Sequence, residues 1–217
     1  MRLLVATTNR NKTREIRTLL AGVPVELLTL DAFCALTAPD ETGRTFEENA
    51  RLKALYYAAA TGELTVAEDS GLEIDALGGA PGVESARFGG AGTSYLDKFA
   101  MLYDALRAKG PASADGPARF VCALALAQGD RILFETRGTV EGRIAPEPKG
   151  NGGFGYDPIF FYPPYGQTLG EATEAQKSAV SHRGQAFRRL REFLRVFGAE
   201  QSESQARDPR APRLQNP

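Results

Sequence analysis

The chain has 217 residues, 42% of them hydrophobic, and a formal net charge of −1. That length fits one large domain or two closely packed lobes around a substantial core. The near-neutral charge excludes the global basic field of a nucleic-acid binder, so any positive patch is local.

The elements are predicted in chain order from apolar spacing and punctuation. Residues 2–7 form a buried strand. A helix follows over 11–20, with Ile16, Leu19 and Leu20 on one face, and then a strand over 23–30. Thr45 with Glu48 three residues on is a capping box. It opens a helix with an apolar stripe of Phe46, Ala50, Ala54 and Tyr57 that Gly62 ends. Asn49 and Lys53 sit one turn apart on a neighbouring face. LTVAEDSGLEIDAL is predicted as a strand, a tight turn at Asp69, Ser70 and Gly71, and a second strand. Thr93 or Ser94 caps a helix carrying Leu96, Phe99, Tyr103 and Leu106, stopped by Gly110 and Pro111. Residues 118–127 and 131–140 read as a hairpin around Gln128, Gly129 and Asp130. The last helix spans 183–197, and the polar, proline-spotted residues 198–217 are expected to be a disordered tail. Helices interleaved with strands give an α/β or mixed α+β class.

Cys34 and Cys122 are too few and too far apart for a disulfide scaffold or a cysteine zinc site. Cys122 lies in an apolar run and reads as a buried free thiol, which suggests a reducing, cytoplasmic setting. No signal-peptide core and no stretch of transmembrane length are present, so no membrane association is expected. The single histidine, His182, excludes a histidine-rich metal site. A divalent ion would need carboxylates, which favours Mg²⁺ or Mn²⁺ over zinc.

Five polar segments carry the chemistry. In TTNRNK, Thr7, Thr8, Asn9 and Lys12 surround the N-terminus of a helix that follows a strand. Free amides, the helix dipole and a lysine suit a polyphosphate, although the same residues also make a capped, solvated turn. GxxxxGK[ST] is absent. Glu41 is the second segment. Glu68, Asp69, Ser70 and Gly71, read as a strand end, can hold Mg²⁺ and a water, or simply form an acidic turn. Phe154, Gly155, Tyr156 and Asp157 offer an aromatic that stacks on a nucleobase, or a plug over a sheet edge. Lys177 with Ser181, His182 and Arg183, placed at the start of the last helix, is a donor cluster for a keto oxygen, or ordinary surface charge.

TTNRNK, FEENARLKA, AEDSGLEIDALGGAPGVESARF, GYDPIF and KSAVSHR resemble, in order and spacing, the inosine triphosphate pyrophosphatase family, also called dITP/XTP pyrophosphatases. The resemblance covers residues 2–197. It implies an elongated mixed central sheet flanked by helices, in two lobes with a cleft between them, and a homodimer. It implies Mg²⁺-dependent hydrolysis of non-standard purine nucleoside triphosphates (ITP, dITP, XTP) to monophosphate and pyrophosphate, which cleanses the nucleotide pool. By motif, Thr7, Thr8, Asn9, Arg10, Asn11 and Lys12 bind phosphates, with Lys53 as helper. Glu41 and Asp69 match the metal-binding acids, with Glu68 adjacent, and Asp69 matches the general base. Ser70 matches a substrate-binding position. Phe154, Gly155, Tyr156 and Asp157 match the base-stacking segment, and Lys177, His182 and Arg183 the base-recognition set. Two departures stand out: Glu68 replaces an expected Asp, and the residues Glu174, Ala175 and Gln176 are unusual. Of the cations near the N-terminus, Lys12 is expected to meet phosphate, with Arg10 and Arg14 facing solvent or, for Arg14, paired to a nearby acid. The competing reading is a non-catalytic purine nucleotide sensor, which would not need Glu41, Glu68 and Asp69. An RNA-binding role is disfavoured by the charge.

Overall fold

The computed structural model describes residues 1–33, 36–110 and 115–207, with side chains described to residue 199. Cys34 and Pro111 lie outside the described residues. Seven strands form one mixed sheet in the order β2-β1-β3-β4-β5-β6-β7. They are β1 (Arg2–Val5), β2 (Glu26–Thr29), β3 (Leu64–Ile74), β4 (Pro117–Gln128), β5 (Arg131–Ile144), β6 (Phe160–Tyr162) and β7 (Gln167–Thr168). β1 is parallel to β2 and β3; every later pairing is antiparallel. The helices are α1 (Arg10–Leu19), α2 (Phe46–Thr61), α3 (Tyr95–Ala108), α4 (Glu174–Val180) and α5 (His182–Arg207).

Local signals place the helix ends. Thr45 and Glu48 make both bonds of the capping box, and Gly62 ends α2 at φ 72°. Ser94, not Thr93, caps α3. β1 alternates its buried side chains: Leu3 and Val5 join α1 and α5, while Leu4 and Ala6 join α2. β4 does the same. Cys122, Leu124 and Leu126 face α5, and Val121, Ala123, Ala125 and Ala127 face α2. Small residues on both β4 and α2 (Ala50, Ala54, Ala58) let that helix seat close to the strand. The far ends of β3, β4 and β5 carry a separate core with α3, built on Leu72, Phe99, Leu102, Phe120 and Phe160. The long strands thus run through two lobes.

Three expectations are corrected. β3 does not turn at Asp69, Ser70 and Gly71; it pairs with β4 without interruption from Thr65 to Ile74. Turn-forming composition yields here to a long buried partner strand. Lys177 is not on the last helix but on the short α4, which has its own capping box of Thr173 and Gln176. The last helix runs to Arg207, ten residues past the expected end, and 208–217 lie outside the described residues. Among the described residues no helix is long and apolar enough to cross a membrane.

Candidate active site

β1 stops at Val5, opposite Val66, while β3 continues to Ile74. The edge of β3 that β1 abandons is covered again only farther on, where the loop after β3 folds back. There the Leu72 amide donates to Ser85 Oγ at 2.9 Å and Glu73 bridges Pro81. Between these two covers, Glu68, Asp69, Ser70 and Gly71 lie along an open edge, and the segment 7–12 leads away beside them. Gly71 is glycine because the loop comes so close: a Cβ there would overlap Ser85 Oγ and sit 2.6 Å from the Gly82 carbonyl oxygen.

Period-two alternation sends neighbouring acids to opposite faces. Asp69 faces α2. Its Oδ2 accepts from Asn49 Nδ2 at 3.1 Å, and Asn49 Oδ1 in turn accepts from the Gly43 amide at 2.8 Å. Its Oδ1 lies 3.2 Å from Lys53 Nζ, which also donates to Glu41 Oε1 at 2.6 Å. Arg87 reaches Glu41 Oε2 at 3.4 Å. Burial raises the Asp69 carboxyl above its ordinary value against the pull of Lys53, and Glu41 adds to the rise. Burial would also raise Glu41, but the hydrogen bond and charge of Lys53 leave it below its ordinary value. Two neighbouring carboxylates are thus driven apart, the arrangement that separates a base from a charge-bearing ligand.

Glu68 and Ser70 face α5. Across three strands, Ser70, Cys122 and Gly138 lie side by side. This row of small residues admits the first turn of α5; a Cβ on Gly138 would collide with the His182 carbonyl oxygen and sit 3.0 Å from the Ala186 amide. Arg183 is therefore held over β3, where it is 1% exposed. It donates to Glu68 Oε1 at 3.1 Å, Ser70 Oγ at 3.0 Å and Glu15 Oε2 at 2.7 Å. Lys12 Nζ lies 3.1 Å from Glu68 Oε1, and Cys122 Sγ donates to Glu68 Oε2 at 3.2 Å. Burial opposes ionisation of Glu68, yet Arg183 and Lys12 hold it well below the usual carboxylate range. Cys122 is a buried free thiol.

Lys177 bonds Glu15 Oε1 at 2.8 Å and Asp157 Oδ2 at 2.6 Å. The Asp157 carboxylate also accepts the Phe154 amide at 2.7 Å, so it clamps the glycine-rich loop. Phe154 of that loop is half-buried, and its ring centroid lies 4.5 Å from Lys177 Nζ. Tyr156 is turned inward, donating to the Ser85 carbonyl at 2.9 Å and meeting Tyr95 edge-on. His182 stacks on Phe120 with centroids 5.0 Å apart. Burial, reinforced by the Arg183 charge, holds its imidazole well below the ordinary value, so it is neutral. Its Nδ1 is the one buried side-chain polar atom, among the described residues, without a partner. Lys12, Ser70, Phe154, Gly155, Lys177, His182 and Arg183 all line one pocket.

The opening segment differs in detail from expectation. Asn9 caps α1 by accepting from the amides of Asn11 and Lys12, at 3.0 and 3.3 Å. Thr7 Oγ1 accepts the Asn9 amide. Thr8, Asn9 and Arg10 are exposed. Arg10 and Arg14 both face solvent, as expected, and Arg14 bonds Asn11 rather than an acid. Among the described residues no group of three or more His, Cys, Asp or Glu side chains is placed to hold a metal alone. Glu41 and Asp69 do converge on one cation, the Lys53 ammonium. Two carboxylates completed by phosphate oxygens is how Mg²⁺ is commonly held, so this pair fits the ion. Glu68, on the opposite face and already bonded on both oxygens, stands apart from it. Glu15, Asn49, Ser85 and Arg87 contact the candidate site residues or their strand and were not picked out by motif reading.

A family model described as the Ham1 family matches residues 3–193. A dITP/XTP pyrophosphatase of Exiguobacterium sibiricum is 45% identical over 92% of this chain and 100% of its own length. One of Thermus thermophilus is 47% identical over 88% of this chain and 91% of its own. A HAM1 protein structure from Coxiella burnetii superposes with TM-score 0.84 at 37% identity, covering 90% of this chain and 99% of that one. A structure from Mycobacterium abscessus, titled nucleoside-triphosphatase / dITP/XTP pyrophosphatase, gives TM-score 0.71 at 40% identity, with 88% and 98% covered. By motif, fold and sequence alike, the chain belongs to the Ham1 family.

Proposed function

We propose that this chain, a nucleoside triphosphate pyrophosphatase like its curated relatives, hydrolyses dITP, ITP and XTP to the monophosphate and pyrophosphate with Mg²⁺. One observation carries the reading. β3 presents Asp69 on one face, where Lys53 joins it to Glu41 of the loop before α2, and a donor-lined aromatic pocket on the other, and Lys12 sits at the open edge between them, close enough to act electrostatically on Glu41, Asp69 and Glu68.

The triphosphate lies along residues 7–12, its charge met by Lys12 and Lys53. Glu41 and Asp69 would hold Mg²⁺, which when bound neutralises phosphate charge and polarises phosphorus. Asp69 orients the attacking water and takes its proton at Oδ1, which accepts from Lys53 but not from Asn49 and keeps a lone pair for the water. Lys53 holds that carboxylate in place. Charge neutralisation and positioning supply most of the rate.

The purine stacks on Phe154. Its 6-keto oxygen accepts from the donor set of Lys177, Arg183 and neutral His182. Adenine would set a 6-amino donor against those donors, leaving buried groups unpaired at about 1–3 kcal/mol. Glu15 and Asp157 keep the two cations aimed.

A homodimer is proposed with this reading; α3 exposes Leu96 and Met101, at 74% and 42%, as candidate contacts. Sedimentation of wild type and Leu96→Asp tests that surface. A cytoplasmic setting is proposed from the free buried thiol.

The test is product analysis with ITP, XTP, GTP and ATP in Mg²⁺, for wild type and Asp69→Asn. Pyrophosphate from ITP and XTP, lost in the variant, supports the assignment. Orthophosphate means terminal cleavage and a misplaced triphosphate. No turnover with any of the four puts the non-catalytic purine nucleotide sensor first.

A further inference from the structure

α3 sends one charged side chain inward. Lys98 is 3% exposed and meets no carboxylate among the described residues. Its ammonium donates to the Ala86 carbonyl at 2.6 Å and to the Ser85 carbonyl at 3.5 Å, with the Tyr95 ring centroid 4.9 Å away. A buried cation without a counter-charge is costly, and an aliphatic side chain would fill the space without that cost. What the ammonium contributes must therefore lie at the two carbonyls.

Those carbonyls belong to residues that line the purine pocket. The Ser85 oxygen also accepts from Tyr156 Oη at 2.9 Å. The Ser85 oxygen thus has two donors and the Ala86 oxygen one, and both have a positive charge behind them. Purines differ at position 2 in what they ask of such a wall. Hypoxanthine carries only hydrogen there, xanthine a keto oxygen, and guanine an amino donor.

We infer that Lys98 is a specificity-determining residue which, by capping the Ser85 and Ala86 carbonyls, denies guanine an acceptor for its 2-amino group. The inference rests on the proposed hydrolysis of ITP and XTP. Guanine shares the 6-keto oxygen with the accepted bases, so the donor set of Lys177, His182 and Arg183 does not separate it from them. A wall whose carbonyls already serve a buried cation does. The same positive charge favours the 2-keto oxygen of xanthine. Lys98 acts through the loop carbonyls and touches no reacting atom, so it is a positioning residue.

The experiment compares kcat/KM for GTP, ITP and XTP in wild type, Lys98→Met and Lys98→Arg. Lys98→Met should raise the GTP/ITP ratio about tenfold, the worth of one ordinary hydrogen bond, and lower the XTP/ITP ratio. Lys98→Arg, which keeps charge and donors, should retain the wild-type ratios. Each ratio is internal to one protein and independent of its folded fraction. Should Lys98→Met not fold, Lys98→Gln takes its place, with a GTP/ITP ratio above that of wild type. An unchanged GTP/ITP ratio in the uncharged variant overturns the inference even if absolute activity falls. Wild type that turns over neither ITP nor XTP overturns the underlying function and the inference together.

Discussion

Glu68 and Asp69 are joined by one peptide bond and look out from opposite faces of β3, Glu68 toward Arg183 and Asp69 toward Asn49 and Lys53. They should therefore fail differently when changed. Asp69→Asn keeps its shape and the Asn49 contact, so kcat should fall about 10²–10⁴-fold with the fold intact. Glu68→Ala strips the buried Arg183 of one of its two carboxylates, leaving Glu15, and Lys12 of its acid, and should cost about 2–3 kcal/mol of stability. Steady-state kinetics with urea melts on both variants checks the division; equal loss of stability in the two would refute it.

The metal requirement should trace to Glu41. EDTA should abolish turnover and excess Mg²⁺ restore it. In Glu41→Gln one of two carboxylates is gone, and the Mg²⁺ concentration for half-maximal rate should rise about tenfold or more. The melting temperature should barely move, because Glu41 is half-buried and Lys53 keeps Asp69. A Mg²⁺ titration that overlays wild type would remove Glu41 from the metal site.

Gly71→Ala is a test of the covered edge. Its methyl group would push against Ser85 and the Gly82 carbonyl, so the loop must shift. Overpacking of this kind costs about 1–3 kcal/mol. Because Ser85 and Ala86 line the purine pocket, KM for ITP should rise as well. Wild-type KM in a destabilised variant would show that the loop yields without disturbing the pocket.

The chain's one histidine makes a clean pH experiment. Burial and then the Arg183 charge lower the folded pKa of His182 well below 6.5. Below about pH 6.5 the unfolded chain binds a proton that the folded state refuses. The stability contributed is complete above that pH and is lost as pH falls toward the folded value. Asp157, raised by burial, acts in the opposite sense but equally in a variant. Melting temperatures from about pH 7.5 to 5.5 should therefore fall more steeply for wild type than for His182→Gln. Parallel curves would refute the assignment.

What could be read from sequence was what the chain settles locally. The capping box of Thr45 and Glu48 and the stop at Gly62 involve residues a few positions apart and stand in the structure, and of the two caps offered for α3, Thr93 and Ser94, the second is used. The box of Thr173 and Gln176 that starts α4 was there to be found by the same rule. Glu15 was passed over because its partners, Lys177 and Arg183, are 162 and 168 positions away. Asn49 was placed on the right face beside Lys53, but only the packing of α2 on β3 shows that it holds Asp69. The misplaced turn at Asp69, Ser70 and Gly71 has the same origin. Those residues favour turns in isolation, and the pairing of β3 with β4 overrides them.

The unbroken strand through Glu68, Asp69 and Ser70 makes the register between β3 and β4 an alignment gauge for the whole enzyme. A slip of one residue would exchange the faces, delivering Glu68 to Lys53 and Asp69 to Arg183. Beyond Gly71, pinned under Ser85 and the Gly82 carbonyl, little in the site itself resists that exchange, since each face would still receive a carboxylate. The resistance comes from the anonymous partners on β4, Ala123 opposite Asp69 and Leu124 opposite Glu68, whose sizes suit α2 on one side and α5 on the other. Insertions and deletions within 64–74 should accordingly be fatal even where the inserted residue is harmless, and which acid is delivered to Lys53 is guarded by an alanine and a leucine buried in the core.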